Sequence, residues 1–190
     1  MLALTSMSSF SDAHECAEIP ILAANLHRVM LPRQSQIWAV LRKADSPRRL
    51  VYSLANTLLG RMCLSGEIHA LSAAQWRIVD RAMDFYRKAV PVIRAGASRR
   101  YGTSVRSYRH PEGWQGVVRR GDDGAGILVV VHRFGAGPSD GIEVPIPEAE
   151  RYEIADVFAD GQPNLRIAHD RLACRLEDDF SAVGVLLQRR

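Results

Sequence analysis

Two short stretches of this chain hold carboxylates beside serine or glycine: Ser11-Asp12 with Glu15 just beyond, and Ser65-Gly66-Glu67. Two facing carboxylates can divide acid and base duties at a bond that must be both protonated and attacked. Asp12 and Glu67 are the residue types for such a pair, although nothing in the sequence brings them face to face. Asp12 and Glu15 also have the spacing of a helix capping box, and Ser65–Glu67 also reads as an ordinary loop. The six histidines include no His-x-x-x-His, and there is no Cys-x-x-Cys, so neither a metal nor a cofactor is expected. His69 and His110 read as surface or structural histidines. Gly121-Asp-Asp-Gly124 lacks the spaced oxygen ligands of a calcium loop and reads as a hairpin turn. Trp38, Trp76 and Trp114 offer flat faces to a ligand ring, with Trp76 better placed for a structural role.

The elements that would position these residues must fit in 190 residues, of which 47% are hydrophobic and 24% charged. That composition belongs to a globular protein. The net charge of +4 comes from arginines, Lys43 and Lys88 being the sole lysines. The basic residues fall in scattered pairs (Arg48-Arg49, Arg99-Arg100, Arg119-Arg120, Arg189-Arg190) rather than a stripe, which argues against nucleic acid as a partner. No run approaches the 18 or so apolar residues of a membrane span, and no basic residue precedes the first apolar run as in a signal peptide. Cys16, Cys63 and Cys174 are odd in number and far apart, so they suit a reducing, cytoplasmic setting as small buried hydrophobes.

Residues 12–95 read as helical with short apolar runs, and residues 102–188 read as strands. A first helix opens at Asp12 and kinks at Pro20. A second starts at Ser46-Pro47 and buries Leu50, Val51, Leu54 and Leu58 before Gly60 stops it. A third opens on a capping box of Ser72 and Gln75, with Leu71 and Trp76 as a hydrophobic staple, and runs to about Arg94. Two apolar stripes on it imply contacts on two sides, and Asp84 and Lys88 lie one turn apart on the polar face. Gln36–Leu41 and Arg61–Leu64 read as parallel strands between the helices, that is, βα units. The second half spells strands at Val105–Arg109, Trp114–Arg119, Ile127–Arg133, Ile142–Ile146, Tyr152–Val157, Leu165–Ala168, Leu172–Leu176 and Ala182–Leu187, which suggests a β-sandwich. Ile127–Val131 is continuously apolar, as for a strand covered on both faces.

Several uncommon strings occur in one order: Ala23-Ala-Asn-Leu-His-Arg28, Leu31-Pro-Arg-Gln-Ser-Gln-Ile-Trp-Ala-Val-Leu41, Arg61-Met-Cys-Leu-Ser-Gly-Glu67 and Tyr108-Arg-His-Pro-Glu-Gly-Trp114. Together they resemble the C-terminal part of the family 36 glycoside hydrolases, the α-galactosidase-like enzymes, from about Ser11 to the end of the chain. The resemblance implies an α/β portion followed by an all-β portion: terminal βα units of a (β/α)8 barrel over 1–96, then an antiparallel β-sandwich over 97–190. A complete barrel takes about 250 residues, so only its last units fit here, with exposed strand edges. The resemblance further implies retaining hydrolysis of terminal α-galactosides by two carboxylates about 5–5.5 Å apart. The Ser-Asp pair of the family matches Ser11-Asp12, making Asp12 the general acid/base. A tryptophan usual just before that pair is Phe10 here. The family's nucleophile lies on an earlier strand that has no counterpart in this sequence, so the isolated chain is expected to be inactive. The alternative is a non-catalytic sugar-binding or interaction module that uses an exposed aromatic such as Trp114. In a third reading the chain is a truncated, unstable product whose incomplete barrel leaves Trp76 and Met83 uncovered. No sequence feature fixes the oligomeric state.

Overall fold

A computed structural model describes residues 6–9, 17–103, 109–122, 126–135 and 141–190. Its first part is a three-stranded parallel sheet, in the order β1 (Ser8–Ser9), β2 (Ser35–Leu41), β3 (Arg61–Gly66). Helices α1 (Ile19–Leu26) and α2 (Pro47–Thr57) connect these strands, and α3 (Ala73–Ala95) follows the last. β2 alternates buried and half-buried residues, as a strand with helices on one face should. The eight remaining strands are β4 (Ala97–Gly102), β5 (Trp114–Arg120), β6 (Gly126–Arg133), β7 (Ile142–Pro145), β8 (Tyr152–Ala159), β9 (Asn164–Ala168), β10 (Arg171–Arg175) and β11 (Ser181–Arg189). They form two antiparallel sheets, one of five strands in the order β4-β5-β6-β11-β8 and one of three in the order β7-β10-β9.

The helices lie between the parallel sheet and the five-stranded sheet, with α2 packed on β2 on one side and on β11 on the other. One apolar core therefore runs from Ile37 and Leu41, through Leu54, Leu58 and Phe85, to Val130 and Leu186. A second core joins the two antiparallel sheets through Val129, Val131, Val144, Leu172 and Val185. The continuous apolar run of β6 is thus explained: Leu128 and Val130 face the helices, while Ile127, Val129 and Val131 face the three-stranded sheet. Gly184 lets the helices come this close, because a β-carbon there would stand 2.6 Å from Leu58 Cδ1 and 3.3 Å from Phe85 Cε1.

Several details depart from the sequence reading. α1 starts at Ile19 with Pro20 in its first turn, where a missing N–H is harmless, so no kink arises there. Gly60 does not cap α2, which ends at Thr57; Gly60 sits beside Ser35 and Ile37 where β3 begins. Asp84 and Lys88 are not partners: Asp84 takes Arg87 at 2.6 Å, and Lys88 reaches Asp156 on β8, also at 2.6 Å. Trp76 and Met83 are half-buried against the helical core rather than uncovered. β4 was not legible at all, since Ala97-Ser-Arg-Arg-Tyr-Gly102 has no apolar alternation and pairs along one side with β5. Val105–Tyr108 of the first expected strand lies outside the described residues.

The face of β5 and β6 turned to the helices is partly polar. Gln115 donates from Nε2 to Pro20 O (2.8 Å), and Arg119 donates from Nη2 to Leu59 O (2.8 Å) and from Nε to Ser98 Oγ (2.8 Å). Leu59 O belongs to the turn that leaves α2, so a cation here meets the negative end of that helix. Burial lowers Arg119 to about 10, which leaves it charged at neutral pH. His132 is fully buried and edge-on to Tyr52, with ring centroids 5.1 Å apart. Neither of its nitrogens has a hydrogen-bond partner among the described residues. Burial disfavours the imidazolium and pushes His132 down to about 3, from an ordinary 6.5.

As pH falls below about 6.5, the unfolded chain takes up a proton at His132 that the folded chain refuses until about pH 3. The contribution is whole above that window and is lost through it, at up to about 1.4 kcal/mol per pH unit. Urea unfolding at stepped pH should therefore show the native protein losing stability more steeply with acid than His132→Gln. Parallel curves would sink this assignment.

Candidate functional site

Parallel strands end together, so the loops that follow them gather on one edge, where side chains can converge on a ligand. β2 and β3 pair in register up to Leu41 and Gly66. The Glu67 N–H donates to Leu41 O at 2.7 Å, and its carboxylate Oε2 accepts the Lys43 N–H at 3.1 Å. Gly66 has φ 88°, and a β-carbon there would lie 2.3 Å from Leu41 O, so only glycine closes this turn. The serine–glycine–glutamate string is therefore a locked strand end that carries an exposed carboxylate.

The loop after β2 is fixed from the other side by Gln75. Its Oε1 accepts the Ser72 N–H at 2.9 Å, completing the capping box of α3, while the Ser72 hydroxyl accepts the Gln75 N–H at 3.3 Å. Its Nε2 donates to Lys43 O and Asp45 O, each at 3.0 Å. Asp45 Oδ2 accepts the Arg42 N–H at 2.8 Å, and Ser46 Oγ accepts the Arg49 N–H at 3.3 Å to start α2. One amide thus couples a helix start to the rim loop, a duty that a capping-box signal alone does not reveal.

On the sheet face away from the helices, Trp38 is half-buried and its Nε1 donates to Ser9 Oγ at 2.7 Å, holding the ring against the end of β1. Gln36 Nε2 reaches Cys63 Sγ at 2.9 Å on the same face. Ser11, Asp12, Glu15 and Cys16 lie outside the described residues, so Ser9 is the nearest preceding position on this strand with a described contact. His69 and His110 are exposed. Trp114 is not the exposed aromatic expected of a binding module: its ring packs half-buried on the sandwich core, and its backbone is clasped by Thr103. Burial pushes the Cys174 thiol up to about 12, leaving it inert. Among the described residues, no three His, Cys, Asp or Glu side chains are arranged to hold a metal, and no helix is long and apolar enough to cross a membrane.

Solved structures match this arrangement over nearly its whole extent. The α-galactosidase AgaA of Geobacillus stearothermophilus, a family 36 enzyme solved with 1-deoxygalactonojirimycin, matches 95% of this chain with 25% of its own, at a TM-score of 0.69 and 14% identity. The galactosidase domain of the α-galactosidase–sucrose kinase AgaSK matches the same shares at a TM-score of 0.68 and 10% identity. This chain has the fold of the C-terminal part of family 36 α-galactosidases. It spans about a quarter of the length of those chains. An α-amylase from H. orenii matches more loosely, with a TM-score of 0.53, 10% identity, 97% of this chain and 49% of its own. No protein-family model matches the sequence, and neither does any curated protein.

Within that family 36 fold, the strings that carry the sequence resemblance are joints. Ala23–Arg28 spans the end of α1, where burial and the guanidiniums of Arg119, Arg28 and Arg100 push His27 below its ordinary range. Leu31–Leu41 is the turn into β2 together with that strand, and Arg61–Glu67 is β3 with its locked end. Gly113 and Trp114 close on Thr103, whose hydroxyl accepts the Trp114 N–H at 3.0 Å.

Replacing Gln75 by Glu keeps the acceptor for Ser72 but removes the donors to Lys43 O and Asp45 O and aims a charge at carbonyls. Chemical denaturation should show a loss of about 1–3 kcal/mol. A change within error would mean that the rim loop is held by other contacts.

Proposed function

We propose that this chain is the C-terminal portion of an α-galactosidase-like retaining glycoside hydrolase, with residues 1–96 as the last βα units of a (β/α)8 barrel and 97–190 as its β-sandwich. The observation that carries the reading is the fold match over 95% of the chain to family 36 galactosidases. Three parallel strands in sequential order with intervening helices also suit the closing units of a barrel. The substrate would be a terminal α-galactoside; structures of the Geobacillus enzyme hold raffinose and stachyose.

Asp12 follows β1 in the chain, and β1 runs parallel to β2. In this reading it is the general acid/base: it protonates the glycosidic oxygen as the bond breaks, then takes a proton from the water that releases the sugar. The partner carboxylate that attacks the anomeric carbon would come from outside these 190 residues, and Glu67, engaged by Lys43 N–H, is not assigned that role. No cofactor is needed for this chemistry.

Two measurements test the reading. The 190-residue chain should give no turnover of p-nitrophenyl α-galactoside, and turnover lost in Asp12→Asn would overturn its inactivity. The DNA preceding the Met1 codon should encode, in the same or a shifted frame, further strand–helix units with an aspartate nucleophile. Upstream DNA without them would overturn the assignment to a hydrolase.

A further inference from the structure

The opposite end of the parallel sheet, where the strands begin, carries a site that the glycosidase reading does not use. A cavity of about 410 Å³ opens there, lined by Arg33, Arg61 and Arg94 together with Ser6, Tyr86 and Ile93. The three arginines come from three elements: the turn before β2, the first residue of β3, and the last turn of α3. Among the described residues, no carboxylate lines the cavity.

Arg48, Arg81, Arg87, Arg133, Arg151 and Arg175 each stand 2.6–3.5 Å from a carboxylate. Arg33, Arg61 and Arg94 make no such pair among the described residues. Arg94 by itself would be explained as a cation at the negative end of α3. Arg61 opens a strand and serves no helix end, and three guanidiniums lining one cavity make it attractive to an anion.

We propose that this cavity binds a phosphomonoester. A guanidinium presents a planar fork of donors that matches two phosphate oxygens at once, and a dianion offsets most of three positive charges. The volume falls in the range of small-ligand pockets, about 300–1,000 Å³, which is more room than a bare phosphate fills. The Ser6 hydroxyl can meet a polar body attached to the phosphate, and the Tyr86 ring forms an apolar wall. The Tyr86 hydroxyl itself is committed, donating to Gly60 O at 3.2 Å and accepting the Met62 N–H at 3.3 Å.

The test is calorimetric titration of the whole chain with inorganic phosphate, glucose 6-phosphate and glucose, in chloride buffers of matched ionic strength. Saturable binding of the two phosphates and none of glucose is expected. Glucose 6-phosphate binding tenfold or more tighter than phosphate would support a phosphomonoester as the ligand, and equal affinities would overturn that assignment in favour of the free ion. Arg61→Ala and, independently, Arg94→Gln should each weaken binding about tenfold, with circular dichroism unchanged because both side chains are exposed. Arg48→Ala, at an arginine paired with Asp178, should leave affinity unchanged. Absence of saturable binding, or an equal loss in Arg48→Ala, would overturn the proposal.

Discussion

The burial of both faces of the five-stranded sheet is the constraint on which the rest of the molecule depends. Strands β6 and β11 present Leu128, Val130, Ala182 and Leu186 to the helices and Val129, Val131, Val183 and Val185 to the three-stranded sheet. Without the helical layer, the first set would form a broad exposed apolar patch, which soluble chains avoid. Without the sheet, α2 and α3 would lose the surface that receives Leu58 and Phe85 over Gly184. One apolar core therefore joins the helical layer to the sheet that follows it.

This constraint also sets what the sequence could reveal. Signals that depend on a few neighbouring residues were legible: the Ser72/Gln75 capping box, Ser46-Pro47, and the uninterrupted run of β6 all sit where the local pattern put them. Signals that depend on what lies across the layer were not. On β5, Gln115 and Arg119 alternate with Gly116 and Val118, a pattern that reads as one solvated face. In the fold that face is buried by helices, and its polar groups bond the carbonyls of Pro20 and Leu59. His132 follows the same logic, being an ordinary histidine until α2 covers it.

The rim shows a similar split. In the sequence, Ser65-Gly66-Glu67 stands out for its carboxylate, but the structure gives its glycine the decisive part, because only that residue lets β3 end against Leu41. Gln75 looked like half of a capping box, yet its other face fixes the loop between β2 and α2. A likeness in fold at 10–14% identity is understandable on these terms. Joints of this kind need particular residues at few positions, while the core between them needs only apolar volume and period.

Strand direction gives the parallel sheet two chemically different ends. Where the strands finish, backbone hydrogen bonds lock loops that carry Asp45 and Glu67. Where they start, Arg33, Arg61 and Arg94 line a cavity with no carboxylate among the described residues. The six residues of β3 separate the two ends by about 20 Å at the usual rise per residue. An anion among the arginines is thus too distant to touch the rim loops. It would act by bridging the starts of β2 and β3 and the end of α3. Since β2 and β3 run in register from Arg61 to Gly66, anchoring their starts also steadies the ends that carry Lys43 and Glu67. The arginine cavity and the rim are then linked by the rigidity of two paired strands rather than by a shared ligand.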